Sequence, residues 1–290
     1  MRLFRIMTVA MCCAALLAGV FGCRKKDSAE PGAPAAVRTQ PADSPDKVIE
    51  QAVKALKNNQ PVEIFGLLPP SYQNDVQAVI TEATSKMDKE IFELGVRILD
   101  MVVAILEKHG AMLAGMAAGM PFDADEAIEG VKEFHTFLKD TKLLEYDSFK
   151  NLNAAGFLAQ HGAKFMTQGM SRFESMSRDE FKAFKAMRDS LGTSITDSSD
   201  DSATVVVTID DETHTIEFSK VEGRWVPADL ASDWDENLAE AKKNVSETMA
   251  KIADDKDQIK EVMEQLLAAL TKVEETGDLS HLEALGQMFM

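Results

Sequence analysis

A histidine and three methionines lie at helical spacing near the middle of the chain, and these four residues are the best suited to bind a metal. They are His109, Met112, Met116 and Met120. On an α-helix, intervals of three and four residues would align the side chains along one stripe. Imidazole nitrogen with several thioether sulfurs is a donor set that suits Cu(I). Methionine also fills irregular gaps in protein cores, and the chain contains 16 methionines, so core packing is the favoured interpretation.

Two groups of acidic residues could supply oxygen ligands to a hard cation such as Ca²⁺. The members are Asp123, Asp125, Glu126 and Glu129 in the first group and Asp197, Asp200 and Asp201 in the second. Neither group has the spacing of an EF-hand loop with its glycine and terminal glutamate. The first group is well placed to stabilise a helix N-terminus, and the second to form a solvated turn. The sequence favours these structural roles.

The side chains that usually perform acid–base or nucleophilic catalysis show no recognisable spacing. The histidines lie far apart, at positions 109, 135, 161, 214 and 281, and no HxxxH, HExxH or HxH occurs. There is also no GxSxG, P-loop or GxGxxG motif. A Ser-His-Asp triad assembles in space, so the sequence alone does not exclude one. The absence of these motifs predicts a protein that is not an enzyme and has no cofactor.

The first 23 residues have the pattern of a secretory signal. A basic start precedes residues 6–21, which carry no charge and are too few for a membrane-spanning helix of roughly 20 apolar residues. The tetrapeptide VFGC at 20–23 resembles the lipobox of bacterial lipoproteins. The resemblance implies removal of residues 1–22 as a signal peptide and lipidation of Cys23. An ordinary signal peptide cut nearby, or an uncleaved anchor, is the alternative.

Residues 23–45 are predicted to be the lipidated cysteine and a disordered tether. After three basic residues at 24–26, the segment is rich in Ala, Pro, Ser and Gly and poor in large apolar side chains. Cys12 and Cys13 lie inside the predicted signal, so the mature chain would keep Cys23 alone. Disulfides, CxxC redox chemistry and thiolate metal sites are then excluded.

The chain is strongly acidic, which limits its partners. Its formal charge is −17, and removal of Arg2 and Arg5 with the signal peptide would make it −19. No basic stripe is present, so nucleic acid is not expected to bind. The membrane, reached through the lipid anchor, and a protein bound through helical surfaces are the expected partners. The predicted location is the cell envelope, on a bacterial membrane and facing the periplasm or exterior.

Residues 46–192 are predicted to form a helical domain. Asp46, Ser71 and Asp123 would each cap a helix, and a further helix would start near Asp147. Ser177 and Glu180 form a capping box for the helix that would end near residue 191. The helix after Asp123 carries its apolar residues at helical spacing, namely Ile128, Val131, Phe134, Phe137 and Leu138.

An uncharged stretch of Ala, Met, Gly and Leu occupies residues 111–122. Gly115 and Gly119 are four residues apart, a spacing that lets two helices approach closely in a membrane. The stretch is too short to span a bilayer, and glycine weakens helices. We therefore expect a buried, tightly packed segment or a mobile loop.

Residues 193–230 are predicted to form a small antiparallel sheet, because the hydrophobic period changes there from helical to alternating. The predicted strands cover 204–209, 213–221 and 224–226, with a tight turn at 222–223. The sequence VEGRWV at 221–226 resembles the hairpin of nuclear-transport-factor-2-like and cystatin-like domains of bacterial lipoproteins. The resemblance covers residues 203–228 and implies a curved sheet packed on helices, without implying an activity.

Residues 231–290 are predicted to be a long helix followed by a short terminal helix. Ser232 would cap the long helix, whose apolar residues from 234 to 273 recur every three or four positions. Gly277 would end it, and residues 280–289 would form the short helix. The predicted fold is therefore α+β and predominantly α, a helical bundle with a three-stranded antiparallel sheet.

Three functions are compatible with these features. The favoured one is a lipid-anchored envelope protein with a non-catalytic binding or scaffolding role. The first alternative is a carrier or chaperone for apolar ligands or unfolded clients, since Met- and Phe-rich surfaces repack around varied partners. The second alternative is a protein that binds Cu(I) or Ca²⁺. The whole chain resembles uncharacterised bacterial lipoproteins more than any enzyme family.

Overall fold

The fold is α+β and mostly helical, as predicted. A computed structural model describes residues 40–116, 123–176, 185, 191–209 and 212–281. The helices of this part are α1 (Pro45–Lys57), α2 (Pro61–Leu67), α3 (Pro70–Thr84), α4 (Lys89–Met116), α5 (Ala124–Asp140), α6 (Tyr146–Lys150), α7 (Ala154–Met176), α8 (Ala228–Asp254) and α9 (Lys256–Thr276). The strands are β1 (Gly192–Ser198), β2 (Ser202–Ile209), β3 (Glu212–Val221) and β4 (Arg224–Pro227).

The described residues form two compact units, and each combines segments that are distant in the sequence. The first unit contains the described residues of 40–80 and 153–244. The second contains those of 81–152 and 245–281. The sheet belongs to the first unit, and the second unit is helical in its described part.

The sheet has four antiparallel strands in the order β1-β2-β3-β4, so the prediction of three strands is wrong. The three predicted strands correspond to β2, β3 and β4. The missed strand is β1, whose sequence GTSITDS lacks alternating apolar residues. Its residues are almost all exposed, so β1 is an edge strand held by pairing with β2. Val205 at the centre of β2 pairs with Ile195 of β1 and with Ile216 of β3.

The first unit has its core between the sheet and α1. Val205, Phe218 and Trp225 are buried at its centre, and Val48 and Ile49 of α1 pack against them. Alternate residues of each strand point to the same face, which is why three strands contribute to one core.

The turn between β3 and β4 has the left-handed backbone expected of a two-residue hairpin. Glu222 has φ 51° and Gly223 has φ 75°, as a type I′ turn requires. The next residue, Arg224, is buried, and its Nη1 donates a hydrogen bond of 2.6 Å to the Gly66 carbonyl in α2. Burial lowers the pKa of Arg224, and the carboxylate of Glu222 opposes that shift.

The second unit is organised by α4 and α9, which run parallel and share two apolar clusters. The first cluster contains Met87, Ile91, Phe92 and Phe149, with Ile252, Ile259 and Met263 packed against it. The second contains Ile105, Leu270 and Val273, with Met101, Leu113 and Leu279 packed against it. The single long helix predicted over residues 234–273 is two helices, α8 and α9, which are separated at Asp255, so that prediction is wrong. Within α9, the apolar residues that recur every three or four positions form the face that packs on α4.

Ion pairs link the start of α9 to the start of α4. Lys256 Nζ lies 2.5 Å from Asp88 Oδ2, and Lys260 Nζ lies 2.7 Å from Glu90 Oε2. Burial alone would raise the pKa of Asp88, but hydrogen bonds from Lys256 and from backbone amides outweigh it and lower that pKa. The hydrogen bond to Asp88 raises the pKa of Lys256.

Three predicted helix caps are wrong. α1 begins at Pro45, so Asp46 lies in its first turn, and α3 begins at Pro70, so Ser71 lies inside it. Proline suits the first helical position because its missing N–H has no helical partner there. α8 begins at Ala228, directly after β4, and Ser232 lies inside the helix.

The helix predicted to start near Asp147 is two helices, α6 and α7. Asn153 lies between them, and its Oδ1 accepts a hydrogen bond of 2.7 Å from the Gly156 amide. This cap, which the sequence analysis missed, starts α7. Gly277, with φ 74°, ends α9 as predicted.

Some predicted features lie outside the described residues, namely the capping box at Ser177 and Glu180 and the terminal helix beyond residue 281. Among the helices that the structure describes, none combines the length and the apolarity needed to cross a membrane.

Candidate functional site

Three of the four predicted copper ligands, His109, Met112 and Met116, lie on α4, and the histidine already has a hydrogen-bond partner. His109 Nε2 lies 2.8 Å from the Glu274 carbonyl oxygen, so this ring nitrogen is already hydrogen-bonded. Gly277 packs closely against the same ring, because a Cβ added to this glycine would lie 3.1 Å from Cε1 and Nδ1 of His109. Met112 and Met116 are exposed on α4, and Met120 lies outside the described residues. The histidine therefore fastens α4 to the end of α9.

Asp123 takes the helix-capping position that the sequence favoured, whereas the second acidic group, predicted as a turn, is divided between a strand and a turn. Asp123 is the N-cap of α5, and its carboxylate accepts a hydrogen bond of 3.1 Å from the Glu126 amide. Asp197 lies in the edge strand β1, and the backbone carbonyls of Asp200 and Asp201 bond to Lys220. In the described ranges, no three His, Cys, Asp or Glu side chains are grouped so as to hold a metal ion.

A buried histidine has a carboxylate partner on the neighbouring helix. His135 Nε2 of α5 lies 2.7 Å from Asp100 Oδ1 of α4. A buried imidazole needs such a partner, and the pair fastens α5 to α4. Gly110 and Ile128 make a second contact between the same helices, since a Cβ on Gly110 would lie 3.7 Å from the isoleucine side chain. We assign His135 a structural role.

One face of α5 exposes an apolar stripe at helical spacing. Its members are Ala127, Val131, Phe134 and Leu138, at intervals of four, three and four residues. Val131 is 37% exposed and Phe134 is 48% exposed, while Leu138 is half-buried. We call these four residues the α5 stripe.

The α5 stripe lies between two buried edges of its helix. Ile128 and His135 face α4 on one side, and Phe137, on the other side, is 2% exposed. The single apolar face predicted from the spacing is therefore divided, with Phe137 in the core and Val131 and Phe134 at the surface. The sequence could not show this division, because both sets recur at helical intervals.

A second surface feature, in the first unit, joins aromatic rings to carboxylates. Tyr72 of α3 and Trp234 of α8 stack with ring centroids 3.8 Å apart and an interplanar angle of 4°. Trp234 Nε1 donates a hydrogen bond of 3.0 Å to Asp75 Oδ2. Burial raises the pKa of Tyr72, and the carboxylates of Asp235, Glu222 and Asp75 raise it further. This site was not predicted from the sequence, where its one signal is the rarity of Trp and Tyr, with two of each in the chain.

Comparison with known proteins finds no matching family model, no matching curated protein and no matching solved structure. Cys23, the predicted lipidation site, lies outside the described residues.

Proposed function

We propose that this chain is a lipid-anchored protein of the bacterial cell envelope with a non-catalytic binding role. The lipobox-like sequence ending in Cys23 supports the anchor. The 21 residues at 24–44 are rich in Ala, Pro, Ser and Gly and precede α1. As a flexible coil, a segment of this length has a root-mean-square reach of about 25 Å, enough to hold a folded unit away from the bilayer.

The α5 stripe is the observation that carries the binding role. Isolated apolar residues are ordinary on protein surfaces, but an aligned set at helical spacing is typical of an interaction face. Glu126, Glu129 and Glu133 are exposed on α5 but lie about 110–170° around the helix from the centre of the stripe, so the stripe itself carries no charge. An uncharged apolar stripe favours a protein partner that presents the apolar face of an amphipathic helix.

The anchor is tested by the intact mass of the protein from the membrane fraction, measured beside a Cys23→Ala variant. We expect a mature mass that starts at Cys23 and includes acyl chains, with loss of these chains in the variant. A full-length unmodified chain would refute the anchor and return Cys12 and Cys13 to the mature protein.

The binding face is tested by a photo-crosslinking amino acid placed at position 134 of the full chain in cells. Position 136 is the matched control, because Thr136 is exposed on the opposite face of the same helix. We expect a discrete adduct from position 134, none from position 136, and loss of the adduct when Val131→Glu is added. Equal crosslinking from both positions, or an adduct unaffected by Val131→Glu, would contradict the proposal.

The exposed methionines of α4 support a second candidate function, that of a carrier or chaperone. Met112 is 41% exposed and Met116 is 64% exposed. Methionine adapts its shape to different apolar partners. The test is binding of a hydrophobic fluorescent dye to the full chain at neutral pH, with Met112→Gln/Met116→Gln as the comparison. Absence of dye binding, or dye binding unchanged in the variant, would exclude these methionines as a carrier surface.

A further inference from the structure

The aromatic stack of the first unit holds a buried phenol beside several carboxylates. Tyr72 is 7% exposed. Trp234 stacks on it and is fixed in turn by the hydrogen bond to Asp75. The rings are therefore held from two helices, α3 and α8, and their positions are set before any ligand arrives. Preorganisation of this kind reduces the entropy that binding must overcome.

The hydroxyl of Tyr72 makes no hydrogen bond with another residue of the described part of the chain. The ring is buried, but the oxygen is not one of the buried polar atoms without a partner, so it reaches solvent and can accept or donate a hydrogen bond to a ligand. Asp75, Glu222 and Asp235 are the carboxylates whose charge acts on this hydroxyl. The phenol thus points into a region of negative potential.

The carboxylates of this cluster have more negative charge than nearby cations neutralise. Lys242 Nζ lies 4.0 Å from Asp75 Oδ1, at the limit of an ion pair. Glu222 accepts a hydrogen bond of 3.2 Å from the Ser71 amide, and the buried guanidinium of Arg224 offsets part of its charge. Two cations, Lys242 and Arg224, therefore face three carboxylates. Asp235 is exposed and has no ion pair within the described residues.

We propose that Tyr72, Trp234 and the three carboxylates bind an organic cation, an ammonium or guanidinium group carried on an apolar stem. The carboxylates attract the charge, the indole face favours a cation near it, and the phenol oxygen accepts an N–H bond. A hard metal ion fits less well, because the described part of the chain has no three acidic or histidine side chains grouped for one. The cation is either a free polyamine or a lysine or arginine side chain of a protein, and both present the same chemistry.

This inference does not depend on the α5 stripe, which belongs to the other unit. The test uses the purified full chain in detergent and titrates it with spermidine, with a tri-lysine peptide and with calcium chloride at matched ionic strength. Calorimetry gives the affinity. The indole N–H resonances give the location, since the chain has two tryptophans and Trp225 is buried in the sheet core.

Two variants keep the stack and remove one interaction each. Tyr72→Phe removes the hydroxyl, and Asp235→Asn removes one charge. Each is expected to weaken cation binding about three- to tenfold, as loss of one hydrogen bond or one nearby charge should. Glu240→Gln is the matched control, because it removes the same charge from α8 but lies five residues on and about 140° around the helix. It should change the affinity less than twofold.

We expect saturable binding of at least one organic cation, with a shift of the Trp234 indole resonance. The tighter of spermidine and tri-lysine then identifies the source of the cation. Equal weakening by Asp235→Asn and Glu240→Gln would mean general charge screening and would overturn the proposal. No saturable binding, or calcium binding in place of both organic cations, would also overturn it.

Discussion

α7 approaches the start of α2 so closely that the effect of one substitution on the free energy of unfolding can be predicted in sign and size. A Cβ added at Gly162 would lie 2.5 Å from Pro61 Cγ and 3.4 Å from Pro61 Cδ. Carbon atoms pack best at about 3.5–4.0 Å, so Gly162→Ala requires a shift of about 1 Å. The proline ring has little freedom to move, because it fixes the backbone at the first residue of α2.

The expected loss of stability in Gly162→Ala is the difference between two opposing effects. Overpacking of this kind costs about 1–3 kcal/mol, and contact with a rigid ring favours the upper half of that range. Replacing glycine by alanine inside a helix returns about 1 kcal/mol. Gly162→Ala should therefore lower the free energy of unfolding by about 1–2 kcal/mol.

Gly169 is the matched control on the same helix, since a Cβ there would meet nothing within 4 Å. Gly169→Ala gains helix propensity without a clash and should stabilise by up to about 1 kcal/mol. Both free energies are measured by urea denaturation of the full chain, followed by the helical circular dichroism signal. A double variant, Pro61→Ala/Gly162→Ala, should lose less than the sum of the two single losses, because the alanine pair removes the clash. If Gly162→Ala were as stable as Gly169→Ala, α2 and α7 would not approach as described.

Three other outcomes follow from the described contacts. In a Tyr146→Phe variant, Tyr72 is the one tyrosine left, so ultraviolet absorbance follows its phenol alone. The pKa of Tyr72 should lie above the ordinary 10.0. The stability that this shift contributes is present below pH 10 and is lost as the pH rises through the raised pKa. A value at or below 10.0 would refute the buried, acidic surroundings of Tyr72. Lys256→Met should lower the urea midpoint of unfolding near neutral pH. This loss of stability should disappear as the pH falls through the lowered pKa of Asp88. A loss of stability that does not depend on pH would refute the ion pair. Gly115→Ala should leave the thermal midpoint of unfolding unchanged or slightly higher, because a Cβ at this position meets nothing within 4 Å. A lower midpoint would indicate tight packing of this segment.

The sequence predicted the elements whose own composition determines them. Asp123 caps α5 as expected, and the alternation around Val205 and Phe218 gives strands in the expected place. β1 was missed because its polar residues bury almost nothing, and it forms only because β2 offers a free edge. Secondary structure that depends on a neighbour leaves no pattern in its own residues.

The glycine spacing near residue 115 likewise did not predict how residues 111–116 pack. Residues 111–122 were expected to form a tightly packed segment or a mobile loop. Residues 111–116 are the end of α4, where Met112, Gly115 and Met116 are exposed, and residues 117–122 lie outside the described residues. Spacing alone cannot decide which helix covers a stripe. Near this end of α4, His109 and Leu113 contact α9 and its C-terminal end, whereas Met112 and Met116 are exposed with respect to the described residues.

The cation-binding cluster was beyond sequence reasoning for a geometric reason. Asp75 and Trp234 are 159 residues apart, and only the fold brings them within hydrogen-bond distance. Neither residue type is unusual at its position, so no local spacing indicates the site. Tyr72 appears as an ordinary apolar-face residue until its hydroxyl is seen without a described partner.

The two proposed surfaces differ in their charge. The α5 stripe is uncharged, because Glu126, Glu129 and Glu133 lie on other sides of its helix, whereas the aromatic stack has three carboxylates around Tyr72. A chain of formal charge −17 attracts cations over its whole surface, but general attraction is screened at physiological salt beyond about 8 Å. Selectivity must then come from short-range contacts, an apolar stripe in one case and an indole with a phenol in the other. For a cation bound at the aromatic stack, the weakening caused by Asp235→Asn should therefore depend less on salt than the weakening caused by a remote change such as Glu240→Gln.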